Sequence, residues 1–401
     1  MTETISTGLP MERENPFDPP AELRELREDA PISRMIFADG HEGWLVTGHA
    51  EVRTLMADNR LSTRSELHHP LFRLGNGDLP ERPKAEPGFF LGMDAPDHTR
   101  LRKMLTGQFT VRRMNQLSAW IGTIVDEQLK AMRAKGSSAD LVEEFALPVP
   151  SLVICELLGV PYEERGRFQE DTAKMLNFDN GMAEIEAAVR RIQDYMLELV
   201  ERKKASPGDD MLSGLITTGE PTDTEVGNMG MLLLLAGHET TANMLGLGTF
   251  ALLQHPDQLA LLKAQPDLID NAVEELMRYL TIVHMGTIRT ALEDFEFEGH
   301  QIKAGDSLSL HLPTANRDPD KFENPDALDI TRPSSGRHVS FGHGIHQCLG
   351  QQLARIEMRI GFTALFQEFP DLHLAVPASE VPLRSRMAIY GVHSLPVAWT
   401  A

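Results

Sequence analysis

The feature that most constrains the fold is an unbroken helical pattern between residues 222 and 256. Thr222 opens "TDTE", a capping-box sequence in which Thr222 and Glu225 bond to each other's backbone N–H groups. Apolar residues then recur with helical spacing until Pro256 ends the pattern. About 32 residues at 1.5 Å each give a helix of roughly 48 Å. A helix of this length crosses most of a domain, so the rest of the chain must pack around it.

The pattern elsewhere is also predominantly helical, with apolar residues returning every three or four positions over residues 97–280. Strand signals are confined to a few stretches, including "ISRMIFADGHEGWLVTG", "LEDFEFEGHQIKAGDSLSL" and "HSLPVAW". Because strands and helices do not alternate regularly, a doubly wound or barrel α/β fold is disfavoured. The sequence predicts a mainly α fold with small β-sheets, an α+β arrangement.

No linker, repeat or low-complexity tract divides the 401 residues, so we expect a single domain over residues 1–401. The first 20 residues are expected to be irregular. With 41% hydrophobic residues the chain can bury a sizeable core. Residues 62–96 contain several prolines and glycines without periodicity, which indicates either disorder or a functional segment such as a lid over a site.

Charge and apolar content exclude some classes of function. A net charge of −21 argues against nucleic-acid binding, which needs a basic surface. The longest apolar run is far too short to span a bilayer, and the N-terminus does not resemble a secretory signal. Two cysteines, Cys155 and Cys348, do not make a disulfide framework. We therefore expect a cytoplasmic protein without membrane contact.

One stretch, residues 99–114, is locally basic and has no acidic residue. Its cations are Arg100, Arg102, Lys103, Arg112 and Arg113. Such a face either attracts an acidic partner or is an ordinary solvated helix surface, and the stretch alone favours neither.

The middle of the long helix reads "LLAGHETTAN", where Gly237 costs about 1 kcal/mol relative to alanine. One interpretation is structural: Thr240 bonds back to the carbonyl of Ala236, and Glu239 faces solvent. The other is functional: the helix opens locally beside a ligand, with an acid and an alcohol available to pass protons. Both remain open at this point.

A glycine-rich loop, "FGHGIHQCLG" at residues 341–350, contains Cys348. A zinc-binding module using His343, His346 and Cys348 is one hypothesis, but it lacks a fourth ligand and the paired Cys or His of structural zinc sites. Elsewhere, His98 and Arg102 stand at i,i+4, and Glu275 and Arg278 at i,i+3. Alone, such pairs are usually ordinary surface neighbours.

In combination, "AGHETT", Glu275-x-x-Arg278 and "FGHGIHQCLG" resemble, in order and spacing, the soluble bacterial cytochrome P-450 family of haem-thiolate mono-oxygenases. "ALPVPSLVICELLGVPY" and "CLGQQLARIE" are similar to actinomycete members that oxidise vitamin D, macrolides and xenobiotics. The resemblance implies the cytochrome P-450 fold, with the long helix across the haem and the cysteine loop on its proximal side. The implied cofactor is haem b (heme, iron protoporphyrin IX).

The resemblance also implies roles for individual residues. Cys348 is the expected iron ligand, Phe341 shields its sulfur, and the following helix N-terminus is expected to lower its pKa. Glycines that let the backbone approach the porphyrin are Gly342, Gly344 and Gly350. The expected propionate partners are His98, Arg102, Arg289 and His346. The expected structural network is Glu275, Arg278 and Arg332. The catalytic acid–alcohol pair is Glu239 and Thr240.

The implied activity is hydroxylation of a hydrophobic small molecule, such as a secondary metabolite, a sterol-like compound or a xenobiotic. It uses O2 and two electrons from NAD(P)H through ferredoxin reductase and an acidic ferredoxin. That ferredoxin is expected to dock on the basic stretch together with Arg355 and Arg359. The expected pocket lining is Leu232, Leu235, Ala236, Ile282, Val283, Met285 and Ile389. A haem-thiolate protein that uses peroxide or nitric oxide is the alternative.

Overall fold

The computed structural model describes residues 5–109, 111–333 and 335–400. Its helices are α1 Ala21–Asp29, α2 His49–Met56, α3 Asp97–Thr106, α4 Val111–Ala134, α5 Pro148–Leu158, α6 Gly166–Met175, α7 Met182–Ala205, α8 Met211–Thr218, α9 Asp223–Gln254, α10 Pro256–Ala264, α11 Ile269–Leu280, α12 Leu312–Ala315 and α13 Gln351–Glu368. Among the described residues, no helix combines the length and apolarity that crossing a membrane requires.

The strands are short and form small sheets. They are β1 Ile5–Thr7, β2 Ile32–Ile36, β3 Glu42–Val46, β4 Leu61–Ser62, β5 Ser138–Asp140, β6 Thr287–Ala291, β7 Phe295–Phe297, β8 His300–Ile302, β9 Ser307–Leu310, β10 His373–Leu374 and β11 Pro396–Ala398. The largest sheet has the order β1-β2-β3-β9-β6-β4, a second has the order β10-β11-β5, and β7 pairs with β8. This confirms the prediction of a mainly α fold with small β-sheets. One expectation needs correction, because β1 lies within the first 20 residues, which the sequence predicts to be irregular.

Helix α9 is the predicted long helix, and its capping box between Thr222 and Glu225 is formed. Helices α5, α7 and α13 pack along it, so it is buried on most sides. Its glycines permit this close packing. A Cβ on Gly237 would lie 2.7 Å from Cδ1 of Ile154 in α5, and one on Gly248 would lie 2.6 Å from Cζ of Phe362 in α13. The helix-weakening Gly237 therefore has a packing reason.

The segment before α1 packs against distant parts of the chain. The Phe17 ring meets that of Phe250 at the end of α9, with centroids 4.9 Å apart. The Arg13 guanidinium lies 3.9 Å from the centroid of the Tyr390 ring, and the Tyr390 hydroxyl donates to the Pro16 carbonyl at 2.8 Å. The two ends of the described chain therefore meet in one place.

Residues 62–96 are largely irregular. The described elements within this range are the end of β4 and two 3-10 turns, Ser65–Leu67 and Phe90–Gly92. The segment is anchored at Asp94, which accepts hydrogen bonds from the Ser62 hydroxyl at 2.5 Å and the Thr63 N–H at 2.9 Å.

Candidate active site

One short face of α9 is uncovered. Leu235, Ala236, Gly237 and Thr240 are half-buried or exposed, whereas most other residues of the helix are buried. The helix is continuous here, and the Thr240 hydroxyl donates to the Ala236 carbonyl at 2.7 Å. The predicted back-bond is therefore present, and the alternative of a local helix opening is not observed. The hydroxyl oxygen of Thr240 keeps lone pairs that can accept a further hydrogen bond.

Glu239 lies next to Thr240 but is buried, with 3% of its surface exposed. Its Oε2 accepts a hydrogen bond from Nη2 of Arg384 at 2.8 Å, and Nδ2 of Asn243 lies 3.5 Å from the same oxygen. The structural interpretation, in which Glu239 faces solvent, is therefore not observed for this side chain, because Arg384 pairs with it inside the protein. Sequence reasoning missed Arg384, since a partner 145 residues away leaves no local signal.

The cysteine loop, residues 341–350, leads into α13 and leaves the Cys348 side chain uncovered, in contrast to the buried Cys155. Gly342 and Gly344 have φ of 71° and 77°, a region that favours glycine. A Cβ on Gly344 would lie 2.8 Å from the Met56 carbonyl oxygen, so this glycine is needed where the loop packs on α2. Gly350 has an ordinary φ of −85°, and a Cβ there would meet nothing within 4 Å, so the protein itself leaves room for a side chain.

Phe341 and Arg355 support the loop from one side. The Arg355 guanidinium lies 4.5 Å from the Phe341 ring centroid, and its Nη2 donates to Oε2 of Glu274 at 3.0 Å. Although solvent reaches the Cys348 side chain, desolvation by the surrounding protein raises the pKa of its thiol, while the Gly350 N–H, Arg102 and Arg355 act in the opposite direction. The expected lowering by the helix N-terminus is therefore present but outweighed by desolvation.

Four basic side chains gather beside this loop, and they are those expected to bind propionates. The His98 ring on α3 lies 4.0 Å from the His346 ring, and Nη2 of Arg102 donates to the Gln347 carbonyl. Arg289 on β6 and His346 line one cavity of about 840 Å³. His346 Nε2 is 3.1 Å from the Thr63 hydroxyl.

The partners of this basic cluster are incomplete. Both ring nitrogens of His98 are buried without a hydrogen-bond partner among the described residues. Arg289 is 5% exposed, and its Nη1 donates to the Thr287 hydroxyl and the Ile288 carbonyl. Burial lowers the pKa of Arg289 to about 10, with Asp94 opposing, and burial lowers the pKa of His346 to about 3. Unsatisfied buried donors suit two carboxylates, so these residues fit a haem with its propionates, as does the uncovered Cys348.

A buried ionic network holds the chain that leads to the loop. The Glu275 carboxylate accepts two hydrogen bonds from Arg278, both at 2.8 Å, and two from Arg332 Nε, both at 3.1 Å. Arg278 also donates to the carbonyls of Asn316 and Pro325. The network therefore joins α11 to the segment that precedes residue 341.

The residues expected to line a substrate pocket divide into two groups. Val283 and Ile389 pair in an isolated β-bridge and are half-buried, as is Leu235, while Ala236 is exposed. Leu232 and Ile282 are buried in the main core at 5% and 4% exposure. Met285 packs against a separate cluster that includes Leu71 and Ile288. Leu232 and Ile282 are therefore occupied by packing within the protein, whereas the half-buried or exposed residues of the set keep surface that a ligand can contact.

The basic stretch at residues 99–114 is not a free cationic face. Arg100 pairs with Glu225, and Arg113 Nη1 donates to Oε1 of Gln108 at 2.9 Å. Arg359 pairs with Asp270 at 3.4 Å, and Arg355 with Glu274. The Arg112 side chain lies outside the described residues. Three of the cations expected to receive a partner, Arg100, Arg355 and Arg359, are therefore paired with acids within the chain.

The zinc hypothesis finds no support in the geometry. In the described part of the chain, no three His, Cys, Asp or Glu side chains come together in a way that could hold a metal ion.

An uncovered cysteine in a glycine-rich loop, a buried basic cluster beside it and a long central helix define the site of a haem-thiolate protein. The family model described as Cytochrome P-450 matches residues 262–385. The chain is 48% identical to Cytochrome P-450 105C1 of a Streptomyces species, covering 100% of both chains. It is 39% identical to Vitamin D3 dihydroxylase of Streptomyces griseolus, again covering 100% of both. The crystal structure of CYP105P1 in complex with filipin I has a TM-score of 0.94 and 45% identity, covering 98% of this chain and 99% of that one.

The chain therefore belongs to the cytochrome P-450 family. It is a mono-oxygenase that binds haem through a cysteine thiolate.

Proposed function

We propose that this mono-oxygenase hydroxylates a hydrophobic small molecule, using O2 and two electrons that a ferredoxin and its reductase deliver from NAD(P)H. The observation that carries the proposal is the basic cluster of His98, Arg102, Arg289 and His346 beside Cys348. In the net reaction, a substrate C–H bond, O2, two electrons and two protons give C–OH and water. We also propose that the chain acts as a single cytoplasmic domain over residues 1–401.

In this proposal Cys348 would hold the haem iron through its thiolate sulfur, and the basic cluster would bind the propionates. When bound, haem supplies the activation of O2, and the thiolate ligand favours O–O cleavage. Phe341 excludes water from the sulfur, helped by the Arg355 guanidinium stacked on its ring. Gly342 and Gly344 keep the loop in its left-handed turns, and Gly350 opens α13 without a side chain. Glu275, Arg278 and Arg332 have a structural role.

In this proposal Thr240 and Glu239 take part in proton transfer to oxygen. Thr240 Oγ1 donates to Ala236 and so presents its lone pairs away from that carbonyl, where it can accept a hydrogen bond. Glu239 is held by Arg384 at 2.8 Å, so its carboxylate passes a proton to the Thr240 side only when it leaves that partner or through bridging water. Arg384 therefore determines whether the Glu239 carboxylate stays in the protein interior or turns to the Thr240 side.

The substrate is apolar and of medium to large size. The proposed apolar contacts are Leu235 and Ala236, on the uncovered face of α9 with Thr240, and the paired Val283 and Ile389, with residues 62–91 as the proposed irregular cover. One relative is named a vitamin D3 dihydroxylase, and another was crystallised with filipin I. A compound of that class, such as a sterol-like molecule, a secondary metabolite or a xenobiotic, is the proposed substrate.

The test is a spectral screen followed by product analysis. Apolar candidates are added to the ferric haem protein, and compounds that shift its absorbance are then supplied with ¹⁸O2, NADPH, a plant-type ferredoxin and its reductase. We expect one ¹⁸O atom in the product and no product without ferredoxin. Product formed equally well from hydrogen peroxide alone, or turnover of nitric oxide instead, would contradict the proposal.

A further inference from the structure

Two histidines from separate parts of the chain stack where the turn between β2 and β3 meets residues 62–91, the proposed cover of the substrate. The rings of His41 and His69 are parallel within 4°, with centroids 3.6 Å apart. His69 Nδ1 donates to Oδ2 of Asp39 at 2.7 Å, and the His41 N–H donates to Oδ1 at 3.1 Å. We call Asp39, His41 and His69 the histidine latch. Its side chains keep contact with solvent, so protons can reach them.

The hydrogen bonds around His41 require a neutral ring. The Ser307 N–H on β9 donates to Nε2 of His41 at 3.3 Å, so Nε2 must offer a lone pair and the ring proton lies on Nδ1. A second proton, on Nε2, would point at this N–H donor. It would also place a positive charge against the face of His69, whose Nδ1 proton already binds Asp39. The latch is therefore closed only while His41 is uncharged.

The charges around His41 do not reverse this preference. Burial lowers the pKa of His41, His69 lowers it further, and the neighbouring acids oppose this without outweighing it. The charged or titratable groups that face His41 are Asp39, Glu42, His69 and Asp306, and Arg82 of the cover acts on the latch through Asp39. Closing the latch therefore excludes a proton that an open, solvated His41 would bind.

The latch attaches the first part of the cover to the large sheet. The His69 N–H donates to the Ser307 hydroxyl at 3.1 Å, and the Ala38 N–H donates to the Pro70 carbonyl at 2.9 Å. Nη2 of Arg73 donates to the Ala38 carbonyl at 3.1 Å. Residues 69–73 are therefore held against the β2–β3 turn and β9 by a few polar contacts, several of them at the surface.

Beyond the latch, the cover continues to the turn that follows α6. The Phe72 and Phe178 rings have centroids 4.0 Å apart, and the Gly75 N–H donates to the Phe178 carbonyl at 2.7 Å. The Phe178 N–H in turn donates to the Arg386 carbonyl at 2.9 Å, in the loop that carries Ile389. A displacement of residues 69–75 would therefore loosen the contacts that join the cover to this turn and to a proposed substrate contact.

We propose that the histidine latch is a proton-operated closure: it holds residues 69–75 against the sheet while His41 is neutral and releases them, exposing the substrate site, when His41 gains a proton. The inference rests on the proposed function in one respect, that residues 62–91 cover the substrate. The closed latch excludes the proton, and the open latch binds it with the ordinary histidine pKa of about 6.5, so a falling pH favours opening. Between about pH 7.5 and about pH 5.5 the open population should grow about tenfold.

The test measures hydrogen exchange of the backbone amides of residues 67–75 in the ferric haem protein, by mass spectrometry at these two pH values. Wild type is compared with His41→Gln, whose amide oxygen can accept the Ser307 N–H but takes up no proton in this range. At each pH the ratio of the two exchange rates cancels the intrinsic chemistry of the amides. We expect the ratio of wild type to variant to rise about tenfold from about pH 7.5 to about pH 5.5. The control His373→Gln, at an exposed position, should exchange like wild type at both pH values.

Two further measurements keep the inference falsifiable. Asp39→Asn, which weakens the bond to His69, should raise exchange of the same amides about threefold or more at about pH 7.5. The rate at which an apolar triazole, which does not titrate in this range, binds the haem iron should increase as pH falls in wild type and stay constant in His41→Gln.

The outcomes separate the latch from the proposed function. If wild type and His41→Gln keep the same ratio of exchange rates at both pH values, the latch inference is wrong, whatever reaction the enzyme performs. If exchange changes as expected but triazole binding does not, residues 69–75 move without exposing the substrate site, and the inference is again wrong. If both change as expected but no apolar compound is hydroxylated, the proposed function fails while the latch stands.

Discussion

Thr240 and Glu239 are adjacent in sequence but have different surroundings. Thr240 lies on the uncovered face of α9, while Glu239 points into the protein toward Arg384. Because successive residues of a helix point about 100° apart, Thr240 can face the uncovered side of α9 while Glu239 faces the protein interior. The alcohol is placed to meet a ligand, and the acid is held away from that ligand by an arginine from the last loop.

Replacing Thr240 tests this division directly. The Thr240→Ala variant keeps the helix and should still bind haem and substrate, but without the hydroxyl it should divert electrons to peroxide. We expect product formed per NADPH consumed to fall about tenfold or more. The Thr240→Ser variant retains a hydroxyl that can make the same back-bond and should keep most of the coupling. If wild type and Thr240→Ala formed the same amount of product per NADPH consumed, the proposed catalytic role of Thr240 would be wrong.

At the scale of elements, α9 is stabilised by close packing and not by intrinsic helix preference. Its glycines lie where neighbouring helices approach most closely, and its burial extends around most of its circumference. Glycine is unfavourable in helices by about 1 kcal/mol, yet a larger residue at these positions would force α5 or α13 away.

Gly248→Ala should therefore destabilise the protein. The new Cβ would lie 2.6 Å from Cζ of Phe362, whose ring is fully buried and has no room to move. Overpacking of about 1–3 kcal/mol outweighs the gain in helix preference. The matched control is Gly122→Ala on α4, where a Cβ meets nothing within 4 Å, and it should stabilise by about 0.5–1 kcal/mol. Urea unfolding measures the change in the free energy of unfolding for each variant. A Gly248→Ala protein more stable than wild type would contradict the packing argument.

At the scale of the whole molecule, charge is distributed unevenly. The chain carries a net negative charge, but buried or enclosed basic groups concentrate near the cysteine loop. Buried histidines add a second effect. Burial lowers the pKa of His284 and of His311 to about 3 each, and Arg13 contributes to both. Both are therefore neutral in the folded protein over a pH range in which the unfolded chain becomes protonated.

The sign of the pH dependence follows. Between about pH 6.5 and about pH 5 the unfolded chain binds protons at these two positions and the folded chain does not, so stability falls as pH falls. Each histidine contributes up to about 1.4 kcal/mol per pH unit. In the His311→Gln variant, the slope of unfolding free energy against pH should be smaller than in wild type by about the contribution of one histidine. His373→Gln, at an exposed position, should leave the slope unchanged. Identical slopes in wild type and His311→Gln would rule out this origin.

The parts of the fold that depend on local pattern were predictable from the sequence. The capping box and the length of α9, the β2–β3 hairpin and the α+β class follow from residues close together in the chain. The engagement of Arg100 by Glu225 and of Glu239 by Arg384 did not follow, because these pairs are 125 and 145 residues apart. For the same reason, the cavity between α2 and the cysteine loop, lined by residues far apart in the chain such as Arg53 and His343, has no signature in any single stretch.

The contact between the two ends of the chain has a consequence for biosynthesis. Pro16 leaves the ribosome 374 residues before Tyr390, the residue whose hydroxyl its carbonyl accepts. Arg13 also contacts Tyr390, and Phe17 contacts Phe250, which is synthesised before Tyr390 but still long after Phe17. During synthesis the segment before α1 is therefore among the last parts to reach its final place. The loop that brings Arg384 to Glu239 also carries Tyr390, which contacts Arg13 and Pro16 in that segment.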